Sequence, residues 1–354
     1  MTGIQRFRER LSERGIPAAL ISNVGNAQWL TGFSGSSAFV LVTPTDGVLI
    51  TDSRYRDQAP EQVKELEVRI YQTPQTAAEI ISEEAKSRGI ASLAFEAEHV
   101  SFATHGNWQT SIEAELKPEP DLIDSLRMAK SVHEVNTIRE ACRLADKTFE
   151  HIQRLFQVGV TEYDIALEIE FFIRRNGAKL AFDVIAVSGE RSARPHGEPS
   201  EKKLEQGDFV TVDFGANVDG WNSDLTRTVV IGNADSKHER IYNAVLESQL
   251  EALAMMKPGV PCKDVDAKAR EVLAGYDLAQ YFGHGLGHGL GRSVHDFGSL
   301  SSASKSILEE GQVWTVEPGA YVPGVGGVRI EDDVVITADG IEVLTHSPKH
   351  LMVF

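Results

Sequence analysis

Four acidic residues fall at matching places in a phrase that the chain carries twice. Residues Leu204 to Ile231 read LEQGDFVTVDFGANVDGWNSDLTRTVVI, and Leu308 to Ile336 read LEEGQVWTVEPGAYVPGVGGVRIEDDVVI. Both copies contain Leu-Glu-x-Gly, Thr-Val, an acid and Gly-Ala, and both close on Val-Val-Ile. The acids after Thr-Val are Asp213 and Glu317; the second acids, nearer each end, are Asp224 and Glu331. Apolar runs precede them, Phe209 to Val212 in one copy and Val313-Trp314 in the other, so the strands read as buried. One such acid alone is as easily a solvent-facing strand residue. Four in a repeated frame are not, because unpaired acids are rarely buried. Like charges packed this closely must be protonated or neutralised by cations. Four carboxylates can bridge two divalent ions about 3.5–4 Å apart.

Histidines extend the set. Phe282 to Asp296 reads FGHGLGHGLGRSVHD, with His284, His288 and His295, and His196 lies in a polar loop upstream. One imidazole beside four carboxylates suits Mn, Co or Zn. The other histidines are of a type that can hydrogen-bond a substrate or carry protons near neutral pH, and a structural role suits each of them equally. The glycines do not make a dinucleotide fingerprint, since Leu290 stands where its third glycine would be, and there is no His-Glu-x-x-His.

The elements that must position these residues follow from turn and periodicity signals. With a turn near Val218-Asp219-Gly220, Asp213 is expected directly opposite Asp224 on one face of a hairpin. Pro323 to Gly327 is the second turn, flanked by Glu317 and Glu331. Upstream of the first hairpin, Ser131 and Glu134 form a capping box. Val135, Ile138, Cys142, Ala145, Phe149, Ile152 and Phe156 then mark one face of a long helix. Gly159-Val160-Thr161 opens a second helix ending at Gly177, and Ala181 to Ser188 is read as a strand. Gly259-Val260 with Asp264 echoes Gly159-Val160 with Asp164. Helix, short helix, strand, histidine loop and carboxylate hairpin therefore occur twice. Two copies are too few for a solenoid, so the reading is one domain with pseudo-twofold symmetry.

The first part of the chain reads as a small α/β domain. Ile4, Phe7 and Leu11 share a helical face that ends at Gly15. Strands are expected at Ala19 to Ile21, Phe39 to Thr43, Val48 to Thr51 and Ser92 to Phe95, with a helix near Ala77 to Arg88. Lys117-Pro118-Glu119-Pro120 reads as a boundary signal. The division is placed at 1–124 and 125–354, two domains being usual for 354 residues.

Composition excludes several classes. Acids number 52 against 35 bases, a net charge of −17, which argues against nucleic acid as a partner. No apolar run approaches the roughly 20 residues of a membrane span, and the charged N-terminus lacks a secretory apolar segment. Cys142 and Cys262 have no pairing or ligand spacing around them and read as thiols in a reducing compartment. A cytoplasmic protein is expected.

The set Asp213, Asp224, His288, Glu317 and Glu331 resembles the five-ligand dinuclear site of the pita-bread metallopeptidases. That family includes methionine aminopeptidase, prolidase and aminopeptidase P. Gly207-Asp208, Asp213-Phe214-Gly215, Ser223-Asp224-x-Thr226-Arg227-Thr228, Gly287-His288, Val294-His295, Thr315 to Gly319 and Gly327 to Asp332 stand where its proline-specific branch has them. The resemblance covers essentially the whole chain. It implies an α/β (α+β) architecture, a small N-terminal creatinase-like α/β domain followed by a C-terminal pseudo-twofold pita-bread domain.

It also implies residue roles. Asp213 resembles the carboxylate chelating one metal, His288 and Glu317 the ligands of the other, and Asp224 and Glu331 the bridging pair. The implied nucleophile is a metal-bridging water or hydroxide, with Glu317 passing on its proton. His196, His284 and His295 resemble the histidines that hold the substrate and stabilise the tetrahedral intermediate, and Arg329 the arginine beside the site. Two divalent ions are implied, Mn2+ with Co2+ or Zn2+ as alternatives. Asp296 where glutamate is common, Trp221 where tyrosine is common, and a missing proline after His295-Asp296 depart from the pattern near the substrate. Thr31 to Ser37 (TGFSGSS) and Thr51-Asp52-Ser53-Arg54-Tyr55 look more like aminopeptidase P than prolidase. The resemblance therefore implies a homodimer releasing the N-terminal residue from Xaa-Pro-peptides, with a dipeptide-only Xaa-Pro dipeptidase as the alternative. A non-catalytic binding protein on the same fold is the remoter one, and it predicts no bound metal.

Overall fold

The computed structural model describes residues 2–354, which divide into two compact units, one ending at Arg127 and one spanning Met128–Phe354. The division falls in the last turn of the helix Asp124–Met128, whose first residue is the last of the expected first domain. Arg127 belongs with the first unit because its guanidinium donates to the buried Asn26 side chain.

The first unit is a six-stranded sheet of β1 (Ala19–Ile21), β2 (Phe39–Val42), β3 (Gly47–Asp52), β4 (Glu67–Tyr71), β5 (Ser92–Glu96) and β6 (Glu115–Glu119). Its order is β4-β3-β2-β1-β5-β6, antiparallel only where β2 meets β1 and β3. Leu20, Leu41, Val48, Ile50, Leu93 and Phe95 pack with Ile80 and Ile81 of the helix Ala77–Ser87, which a Thr76–Glu79 capping box starts. Lys117-Pro118 is not a linker: it lies in β6, with Pro118 opposite Phe95. Proline is tolerated there because β6 is an edge strand, whose outer side needs no N–H donor.

The second unit repeats one arrangement. Helices Val132–Ile152 and Glu162–Arg175 cover strands Phe209–Phe214 and Leu225–Val230, burying Phe149, Ile165, Ile169, Ile173, Val210 and Val229 together. Helices Ser236–Met255 and Cys262–Gly275 cover Val313–Val316 and Asp332–Ile336, burying Val245, Val265, Ala269, Trp314 and Val334. The loops match bond for bond. Gly159 N donates to Leu204 O as Gly259 N does to Leu308 O, and Leu204 N to Val160 O as Leu308 N does to Val260 O. The strand expected from Ala181 is shorter, Ile185–Ser188, paired with Phe209–Phe214.

Register decides where the acids point. Val316 lies opposite Asp332 and Gly319 opposite Arg329, which sets Glu317 opposite Glu331, as expected. In the first hairpin Asp213 lies opposite Thr226 rather than Asp224. The cause is the turn: Val218 pairs with Trp221, leaving the two-residue loop Asp219-Gly220 with φ of 50° and 83°. Positive φ at both positions marks a type I′ loop, for which Asp-Gly is favoured. The correction is two residues, so both acids keep the same face. Among the described residues no helix is long and apolar enough to cross a membrane.

Candidate metal centre and active site

Asp213, Asp224, Glu317, Glu331, His196, His284, His288, His295 and Arg329 all line one pocket of about 560 Å³ in the second unit. Asp224, Glu331 and Arg329 are buried, Asp213 is at the edge of burial, Glu317, His284 and His288 are half-buried, and His196 and His295 are exposed at the mouth. Phe182, Ile185, Pro195 and Val294 add apolar wall.

Threonines of the first hairpin stitch the second onto it. Thr226 Oγ1 donates to Glu331 Oε2 at 2.6 Å, Glu331 N to Thr226 O at 3.2 Å, and Thr228 Oγ1 to Arg329 O at 3.0 Å. Behind Glu331, the fully buried Arg227 binds Asp332 at 2.7 Å, and Asp332 also receives Lys349 and Gln249. Burial opposes the charge on Asp332, but Arg227 and Lys349 hold its carboxyl below the usual range.

The glycine-rich segment is held from a helix. Arg270 of Cys262–Gly275 pairs with Asp266 at 2.9 Å and donates to the carbonyls of Phe282 and His284, while Asp266 accepts from Leu286 N. Gly287 admits no side chain, since a Cβ there would lie 2.0 Å from Thr315 O. That close approach lets Thr315 Oγ1 receive His288 N at 3.0 Å and donate to Glu317 Oε1 at 3.1 Å. The loop of His295 is fastened by Asn222, which donates to the carbonyls of Gly291 and Arg292, and by a buried Lys130–Asp296 pair at 3.5 Å.

The donor set fits a divalent cation. His288 Nδ1 lies 3.0 Å from Gly289 O, so the proton belongs there and Nε2 is a lone-pair donor. Nε2 faces Glu317 Oε1 at 3.4 Å and Asp224 Oδ2 at 3.7 Å, and burial pushes the His288 pKa down to about 4. Three lone-pair donors therefore converge on one point. Asp224, His288 and Glu331 offer ligand atoms all within 4.8 Å of one another. Asp213 gives Oδ2 to Arg329 at 2.6 Å, while its buried Oδ1 has no hydrogen-bond partner. Burial, reinforced by neighbouring carboxylates, pushes Asp224 and Glu331 well above the carboxylate range; burial with the Asp213 charge lifts Glu317 to about 7. A cation relieves all of these costs at once.

One residue was not foreseen. Tyr321 accepts from Arg329 Nη1 at 2.9 Å and lies 2.8 Å from His284 Nε2, while His284 Nδ1 lies 2.8 Å from Gly285 O. Both ring nitrogens of His284 are thus engaged inside the protein, an arrangement that fits the structural role left open for it. Burial keeps this ring neutral, its pKa pushed down to about 4. The signal for Tyr321 was present in the repeat, where Gly-Ala-Tyr replaces Gly-Ala-Asn.

The sequence matches Metallopeptidase family M24 over residues 136–338 and the Creatinase/Prolidase N-terminal domain over residues 4–129. An Xaa-Pro dipeptidase of Pyrococcus horikoshii is 36% identical over 353 residues, 99% of this chain and 98% of that protein. The structure of an Xaa-Pro dipeptidase from Bacillus anthracis superposes with a TM-score of 0.96 at 39% identity, covering 99% of both chains. An X-Pro aminopeptidase from Thermotoga maritima MSB8 superposes at 0.90 with 36% identity, over 97% of this chain and 99% of that one. The fold is the expected one, a creatinase-like N-terminal α/β domain followed by a pita-bread domain.

Proposed function

Because the chain belongs to metallopeptidase family M24, we propose that it is an Xaa-Pro dipeptidase, a prolidase, acting on dipeptides with proline in second place. The observation that carries the reading is the convergence of four carboxylates and the His288 lone pair on one pocket floor. Whole-length similarity to Xaa-Pro dipeptidases favours the dipeptide substrate over the longer peptides first expected. Asp213, Asp224, His288, Glu317 and Glu331 would hold two divalent ions, Mn2+ with Co2+ or Zn2+ as alternatives. When bound, the ions would polarise the scissile carbonyl and make water acidic enough to attack near neutral pH.

The remaining work falls to the chain itself. Glu317 takes a proton from the attacking water and passes it to the prolyl nitrogen as the C–N bond breaks. His196 and His295, at the mouth, orient the substrate by hydrogen bonds, and Phe182, Ile185 and Pro195 offer apolar wall to the pyrrolidine ring. Arg329 donates to Asp213 and aims its carboxylate, and Tyr321 with His284 keeps Arg329 in place. The working form is proposed to be a cytoplasmic homodimer.

The second reading, an Xaa-Pro aminopeptidase, draws on the Thermotoga structure and on the TGFSGSS and Thr51 to Tyr55 segments. Hydrolysis of Ala-Pro against Ala-Pro-Ala by the metal-loaded protein separates the two. We expect turnover of the dipeptide and little of the tripeptide; preference for the tripeptide would establish the aminopeptidase instead. A protein that cleaves neither would return the non-catalytic alternative.

A further inference from the structure

The pocket separates by depth into a floor that holds the candidate metal ligands and a rim that carries one further acid, Asp183. On the floor, Arg329 is committed to Asp213, and the other carboxylates face the His288 lone pair. At the mouth the exposed lining residues are Asp183, His196, His295 and Ser299. Among the described residues, Asp183 makes no ion pair or side-chain hydrogen bond, and no lysine or arginine other than the buried Arg329 lines the pocket. Phe182 and Ile185, on either side of it in sequence, line the same cavity, and the strand Ile185–Ser188 anchors that wall from two residues away.

An unmatched acid at the rim of a cleft with apolar walls acts on what enters. Field lines concentrate in such a cleft, so the charge is felt more strongly there than on open surface. A cationic side chain arriving at the mouth meets Asp183 and no fixed positive charge; an acidic one meets repulsion from the same group.

We infer that Asp183 is a specificity-determining residue, selecting Xaa-Pro substrates whose first residue carries a cationic side chain. The inference rests on the Xaa-Pro peptidase reading. Its contribution is of the size of an exposed charge pair, a factor of about 2–5 in kcat/KM, and weakens with salt. It resides in KM, because the charge lies away from the bond that breaks.

The test compares kcat/KM for Lys-Pro with that for Met-Pro, similar in length but uncharged, in the metal-loaded protein, Asp183→Asn and Asp183→Lys. The Lys-Pro to Met-Pro ratio should fall about 2–5-fold in Asp183→Asn and further in Asp183→Lys, and high salt should shrink the difference. A ratio that does not move overturns the inference, whether both substrates lose activity together, as they would if Asp183 bound the α-ammonium group, or neither does. Failure of the unaltered protein to cleave Met-Pro would instead overturn the peptidase reading, and the role of Asp183 with it.

Discussion

Glu317→Gln is expected to lower kcat on an Xaa-Pro dipeptide by about 10²–10⁴-fold, the range spanned by general acid–base groups. Two effects combine. The amide cannot take the proton of the attacking water, and it replaces an anionic oxygen that faces His288 Nε2 at 3.4 Å. Glutamine matches the glutamate in shape, and Thr315 Oγ1, 3.1 Å from Glu317 Oε1, can still bond the amide oxygen. The fold should therefore survive. Steady-state kinetics with metal content measured on the same sample would check this. Activity within about tenfold of the unaltered protein would remove Glu317 from the proton path.

The second large effect concerns pH and metal together. Burial raises the carboxyls of Asp224, Glu331 and Glu317 above their unfolded values, Glu317 to about 7. A native state that binds protons more tightly than the unfolded chain is stabilised at low pH and loses that stability as the protons leave. For Glu317 the loss begins near its unfolded value of 4.5 and is complete above about 7, roughly 3 kcal/mol for that group. Chelator-treated protein should therefore melt at progressively lower temperature as pH rises from about 5 to 8. Added Mn2+ should restore the lost stability most strongly at the upper end, because cations replace the missing protons. A melting temperature that is flat with pH, or insensitive to Mn2+, would show that these carboxylates are neither buried together nor bridged.

The acids of the repeat and the histidines of the glycine-rich segment were legible from sequence, while one register and one tyrosine were not. Glu317 and Glu331 face each other as read because the Pro323 to Gly327 turn leaves their pairing symmetric. The expected pairing of Asp213 with Asp224 was off by two positions because it centred the turn between Val218 and Asp219, whereas the Asp219-Gly220 pair forms the two-residue loop. The face survived that error because strand side chains alternate with a period of two. Tyr321 stands at a repeated position where the other copy has Asn217, and its importance depends on Arg329 and His284 meeting it in the fold. For the same reason sequence left a structural and a substrate-binding role equally open for His284, whose two nitrogens are engaged by Gly285 and Tyr321. In the first unit, Pro118 read as a break because sequence does not reveal that its strand lies at a sheet edge.

The central claim is that Asp213, Asp224, His288, Glu317 and Glu331 form a metal centre. Titrating Mn2+ into chelator-treated protein and counting the ions bound per chain tests it most directly. Two ions per chain are predicted, with at least one lost in Glu331→Gln and in Asp224→Asn; a protein that binds none, or that binds two undiminished after both replacements, would contradict it.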